Sequence, residues 1–101
     1  MIAITEAISK HGDLWPYDKL VPLDQLQVGE TIFVDLDLCS QTISVPFTIF
    51  EIIQDANDPS LGFARGTIFE KCNEGQFEHG VVITYGRFPT MRLFTSHLIV
   101  P

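Results

Sequence analysis

Two histidines, His79 and His97, fall where a β-hairpin in the last third of the chain would set them opposite one another. Opposed imidazoles can bind a metal or act as a proton-sensitive latch, because histidine titrates near neutrality. A metal centre normally wants a third or fourth ligand. In the register that pairs the histidines, Glu70 and Glu78 project to the other face, and neither Cys39 nor Cys72 is obviously near. A one-residue slip would also part the two rings. The expectation is a pair of hydrogen-bonded structural histidines, with no metal and no cofactor. A ligand-binding or simple acid–base reading would use His79, His97, Arg92 and Tyr85 together.

Other residue groups suggest binding rather than catalysis. Arg87 and Phe88 occupy a turn tip, with Arg92 and Tyr85 close by. Arginine beside aromatics can hook an acidic peptide, a nucleotide or a base, although a turn tip is also ordinarily polar. Trp15 and Tyr17, around Pro16, are an aromatic patch outside the strand patterns. Such residues are frequent at interface hot spots, and they serve equally to cap an open end of a small barrel. Asp35 and Asp37 share one side of a strand, where alternation already explains them as a solvent face. The sequence contains no GxSxG, P-loop, GxGxxG or HExxH pattern.

Period-two alternation identifies the elements that hold these residues. Ile32-Phe33-Val34-Asp35-Leu36-Asp37-Leu38 alternates apolar and polar residues, the pattern of a half-buried strand. The pattern predicts strands over about 30–38, 42–53, 61–71, 77–85 and 91–100. Pro46 implies an edge position or a bulge in the second of them. Thr5 to Gly12 reads as a short helix with Thr5 as N-cap, too short to stand without docking. The fold class is mainly β (α+β at the margin): about five antiparallel strands in a meander, forming a strongly curved sheet or a small partly open barrel. Residues 1–101 form a single domain, in which 1–29 pack as a helix/loop segment on the strands of 30–100.

Centring the last turn on Phe88 pairs Val82 with Phe94, Gly80 with Ser96 and His79 with His97. For the preceding hairpin, a turn centred near Glu74 pairs Glu70 with Glu78, Gly66 with Val82 and Phe69 with His79. Both sheet faces then carry an apolar surplus, so each needs a cover: the N-terminal segment, the sheet curling on itself, or a second subunit. Gly66 and Gly80, inside strands, signal a bend or a close approach.

Composition narrows the partners. The chain has 101 residues, 46% of them hydrophobic, and a net charge of −7. Residues 1–60 hold Lys10 and Lys19 against ten acids, whereas 61–101 are nearly balanced. Nucleic-acid binding through a basic footprint and attachment to an anionic membrane are both disfavoured. No apolar run reaches the ~20 residues of a transmembrane helix. No secretory signal is evident, and two cysteines without a CxxC fit reduced thiols, so the expected location is cytoplasmic.

The first functional expectation is a non-enzymatic protein-binding or assembly module, most simply a homodimer, using Trp15, Tyr17, Phe88 and Arg87. The alternatives are a small-ligand barrel or acid–base enzyme using His79, His97, Arg92 and Tyr85, and an acidic inhibitor that mimics nucleic acid.

Overall fold

The computed structural model describes residues 4, 21–38, 41–72, 75–87 and 89–100. Five strands run through them: β1 (Thr31–Leu38), β2 (Gln41–Gln54), β3 (Gly62–Cys72), β4 (Gly75–Tyr85) and β5 (Thr90–Val100). They form one antiparallel meander in the order β1-β2-β3-β4-β5, so β1 and β5 are its edges and no barrel closes. The expected helix at 5–12 lies outside the described residues, as do Trp15, Tyr17, Phe88 and Cys39.

Alternation gives the sheet one inner face. Ile32 and Val34 of β1, Val45, Phe47 and Ile49 of β2, and Ala64 and Ile68 of β3 are buried there. Val81, Ile83 and Tyr85 of β4 and Met91 of β5 complete it. Each large aliphatic or aromatic side chain buried in this way contributes about 1.5–3 kcal/mol. The cover comes from the N-terminal side of the chain. Leu23 and Leu26 are buried at and beside a 3-10 turn, Leu23–Gln25, and Ile4 joins the same cluster. Gly29, with φ +91°, then turns the chain into β1. The Gly29 N–H donates to the Ile49 carbonyl at 2.8 Å, which starts the β1–β2 ladder.

Pro46 pairs with Phe33 one residue before the β2–β3 ladder begins at Phe47. It lies where β2 has a ladder on one side only, an edge-like position that tolerates proline. The ladder shifts register between Ile49 and Glu51, leaving Phe50 as the extra residue of a bulge. The two interior glycines mark close approaches. A Cβ on Gly66 would lie 2.8 Å from the Phe47 ring, and one on Gly80 would lie 2.8 Å from the Phe94 ring. Phe47 therefore lies over Gly66 on the inner face, while Phe94 lies over Gly80 on the outer one.

Two hairpin registers differ from the sequence expectation, and the difference decides where the histidines point. Cys72 pairs with Gly75, so two residues rather than three connect β3 to β4. That change moves the ladder by one: Ile68, not Phe69, faces His79, and Gly66 faces Val81 instead of Val82. In the last hairpin the ladder starts at Thr84↔Thr90, and β5 carries extra residues at Phe94 and Ile99. His79 therefore faces Ser96, Gly80 faces Thr95, and Glu78 faces His97. His79 and His97 do not meet. A slip of one residue exchanges the faces of a strand, so β4 presents His79, Val81 and Ile83 inward beside Ala64, Gly66 and Ile68.

Candidate functional site

The inner face carries one buried polar chain, Glu70–His79–Ser96. Glu70 continues the inward parity of β3 after Ala64, Gly66 and Ile68, so a carboxylate occupies a core position. His79 Nε2 lies 2.7 Å from Glu70 Oε1, and His79 Nδ1 lies 2.8 Å from Ser96 Oγ. The Ile4 N–H donates to Glu70 Oε2 at 2.5 Å. The Phe77 ring stacks parallel to the imidazole, with centroids 6.1 Å apart. With its proton on Nε2, the ring donates to Glu70 and accepts the Ser96 hydroxyl at Nδ1; with both nitrogens protonated, Ser96 becomes the acceptor. Three distant parts of the chain are joined: the segment at Ile4, the middle of the sheet and the β5 edge.

Burial defines what this chain of groups can do. His79 is fully buried and Glu70 nearly so, and only Ser96 reaches the surface. Among the described residues, no three His, Cys, Asp or Glu side chains gather where a metal could bind. Every buried side-chain nitrogen or oxygen in these residues has a hydrogen-bond partner. The arrangement works as a polar clamp within an apolar core.

Tyr85 anchors the opposite end of the inner face. Its hydroxyl donates to the Val21 carbonyl at 2.7 Å, tying the incoming segment to β4. Burial pushes the phenol well above its ordinary range. The proton is thus held more tightly in the folded chain than in the unfolded one. The resulting stability is fully present below the unfolded value of about 10 and is lost as pH rises beyond it. Thermal unfolding of wild type is expected to fall steeply above pH 10, and more gently in Tyr85→Phe. The variant should be less stable at neutral pH by about 1–3 kcal/mol, because the Val21 carbonyl loses its donor. Parallel pH profiles for the two proteins would contradict this role.

The four residues of the ligand or acid–base reading are divided between the faces. His79 and Tyr85 point inward. Arg92 pairs with Val82 on the outer side, and His97, also outside, lies 3.3 Å from Glu78 Oε1. Of the partner-binding set, Arg87 is exposed beside the last turn, whereas Trp15, Tyr17 and Phe88 fall outside the described residues. Asp35 is half-buried on the outer face of β1.

The outer face holds a second constellation. Thr31, Thr48, Thr67, Gly80 and Thr95 are in register across all five strands. Thr31 and Thr48 share a hydrogen bond of 2.9 Å between their hydroxyls, and Thr95 Oγ1 accepts from the Gly80 N–H at 3.2 Å. Aromatic rings rise on both sides of this low row. Two residues beyond Thr31 and Thr67 lie Phe33, 69% exposed, and Phe69, 53% exposed. On the other side are the bulge residues Phe50, 48% exposed, and Phe94, 40% exposed. The Arg65 guanidinium lies 5.5 Å from the Phe50 centroid and 4.8 Å from that of Phe94, and it forms a 2.8 Å ion pair with Glu51. Sequence reasoning anticipated apolar residues on both faces, but assigned Phe94 to the side of Ala64 and Ile68.

Among the described residues, no helix is long and apolar enough to cross a membrane. The chain matches no protein-family model, no curated protein and no solved structure, so the functional reading rests on this geometry.

Proposed function

We propose that this chain is a non-enzymatic assembly module that docks through the outer face of its sheet, with a second copy of itself as the partner. The observation that carries the reading is the set of four exposed phenylalanines bordering the threonine row. Their combined exposure equals about two whole side chains, roughly 400 Å² at ~200 Å² each. A patch of that size is within the range that is often functional on a monomer. It is about half of what each partner buries in a standard interface. Ile53, Val82, the threonines and the Arg65 stem share the face and extend the area.

Relief and charge both favour a second copy. Small threonines and Gly80 form a shallow trough between aromatic ridges, so a ridge of one copy can rest in the trough of the other. Such mutual seating is the self-complementarity that a two-fold interface requires. The chain as a whole carries −7, which opposes self-contact. On this face, however, among the described side chains Arg65, Lys71 and Arg92 stand against Asp35, Glu51 and Glu78, with Arg65 and Glu51 paired. Two copies can thus meet there without setting an excess of like charge together.

Light scattering over a concentration series tests the reading. The expected mass rises from the 11.4 kDa of one chain to twice that value. A mass fixed at one chain up to millimolar concentration would contradict self-assembly.

A further inference from the structure

The edge of β1 that faces away from β2 is a surface separate from the outer face, and its residues specify a different partner. Sheet edges are usually blunted by bulges, prolines or lysines, because a row of open backbone groups can recruit another strand. The β5 edge has such devices: its ladder is interrupted at Phe94 and again at Ile99. β1 has none of them. It pairs with β2 over eight consecutive positions without a register shift, and it contains no proline, lysine or arginine. Among the described residues its other side pairs with no strand.

We propose that the β1 edge accepts an extended basic segment of another protein as a sixth strand. The charged residues of β1 are Asp35 and Asp37, at positions of equal parity. Glu30 immediately precedes the strand, so three carboxylates follow one another along residues 30–37 and attract a basic segment. A second copy of β1 is a poor occupant. Antiparallel self-pairing centred on the strand sets aspartate opposite or diagonal to aspartate, and like charges across strands are destabilising. A strand with lysine or arginine opposite Asp35 forms an ion pair instead. Its apolar residues, on the alternate side, continue the buried row of Ile32 and Val34, while the next cation on the side of Asp35 meets the exposed Phe33 ring. Backbone hydrogen bonds would supply the affinity, and the alternation of cationic and apolar side chains the selectivity.

The probe is a four-repeat Lys-Val peptide, with a four-repeat Glu-Val peptide as its counterpart, followed by amide hydrogen exchange in the NMR spectrum. The Lys-Val peptide is expected to protect alternate amides of β1. Its binding should weaken severalfold in Asp35→Asn and by about tenfold or more in Asp35→Lys. Asp35→Lys should in turn prefer the Glu-Val peptide, a gain that an unfolded variant could not show. Equal binding of both peptides to wild type would overturn the proposal. So would protection appearing away from β1, or Lys-Val binding undiminished in Asp35→Lys.

Discussion

Replacing His79 by leucine is expected to remove about 3 kcal/mol or more of folding stability, because a buried carboxylate loses its hydrogen-bond partner. The substitution keeps most of the volume but strips Glu70 Oε1 of its imidazole and Ser96 Oγ of its Nδ1 contact. A domain of this size is typically stable by about 5–15 kcal/mol, so much of the total is at stake. In urea the midpoint should fall by about 2 M, with the slope retained. Glu70→Gln should cost less, about 1–3 kcal/mol, because the amide oxygen still accepts one bond. The double variant Glu70→Leu with His79→Leu should recover part of the loss, since an apolar pair leaves no carboxylate stranded. If His79→Leu unfolds with the wild-type midpoint, the clamp contributes nothing to the fold.

The second large effect concerns association rather than folding. Phe33→Ser combined with Phe69→Ser removes one aromatic ridge from the outer face. Truncating a buried aromatic anchor at an interface costs about 2 kcal/mol or more, so the pair should weaken self-association about 10³-fold. Light scattering at concentrations where wild type is dimeric should then report one chain. Fold stability measured under monomeric conditions should change little, about 0.5 kcal/mol per site, because both rings are largely exposed there. A loss of fold stability equal to the loss of association would mean that these rings belong to the core and not to an interface.

The contrast between the two faces explains which features were legible in the sequence. Alternation located all five strands, because each buries one parity over runs of several residues, changing only at the bulges of β2 and β5. The apolar surplus on both faces was legible for the same reason, and the structure covers one face with Leu23, Leu26 and Ile4 while Phe33 and Phe69 remain exposed on the other. Register was not legible. A turn of two residues instead of three between Cys72 and Gly75 shifts the β3–β4 pairing by one. The last ladder starts at Thr84↔Thr90, two short of the expected register, and the extra residue at Phe94 restores only one. Neither change alters the hydrophobic pattern that marks each strand. Those shifts turn His79 away from His97 and towards Glu70 and Ser96. One signal did point to the clamp: Glu70 follows Ala64, Gly66 and Ile68 at inward parity, so a carboxylate was due in the core and needed a partner.

Polar groups on the inner face hold the fold, and the proposed self-assembly uses the outer face alone. The most direct test of that separation is the concentration dependence of methyl NMR signals in the wild-type protein. The methyls of Thr31, Thr48, Thr67 and Thr95 should shift together on concentration and fit a single dissociation constant, while those of Val81 and Ile83 stay fixed. Threonine methyls that do not move between micromolar and millimolar protein, or shifts confined to residues away from the outer face, would contradict it.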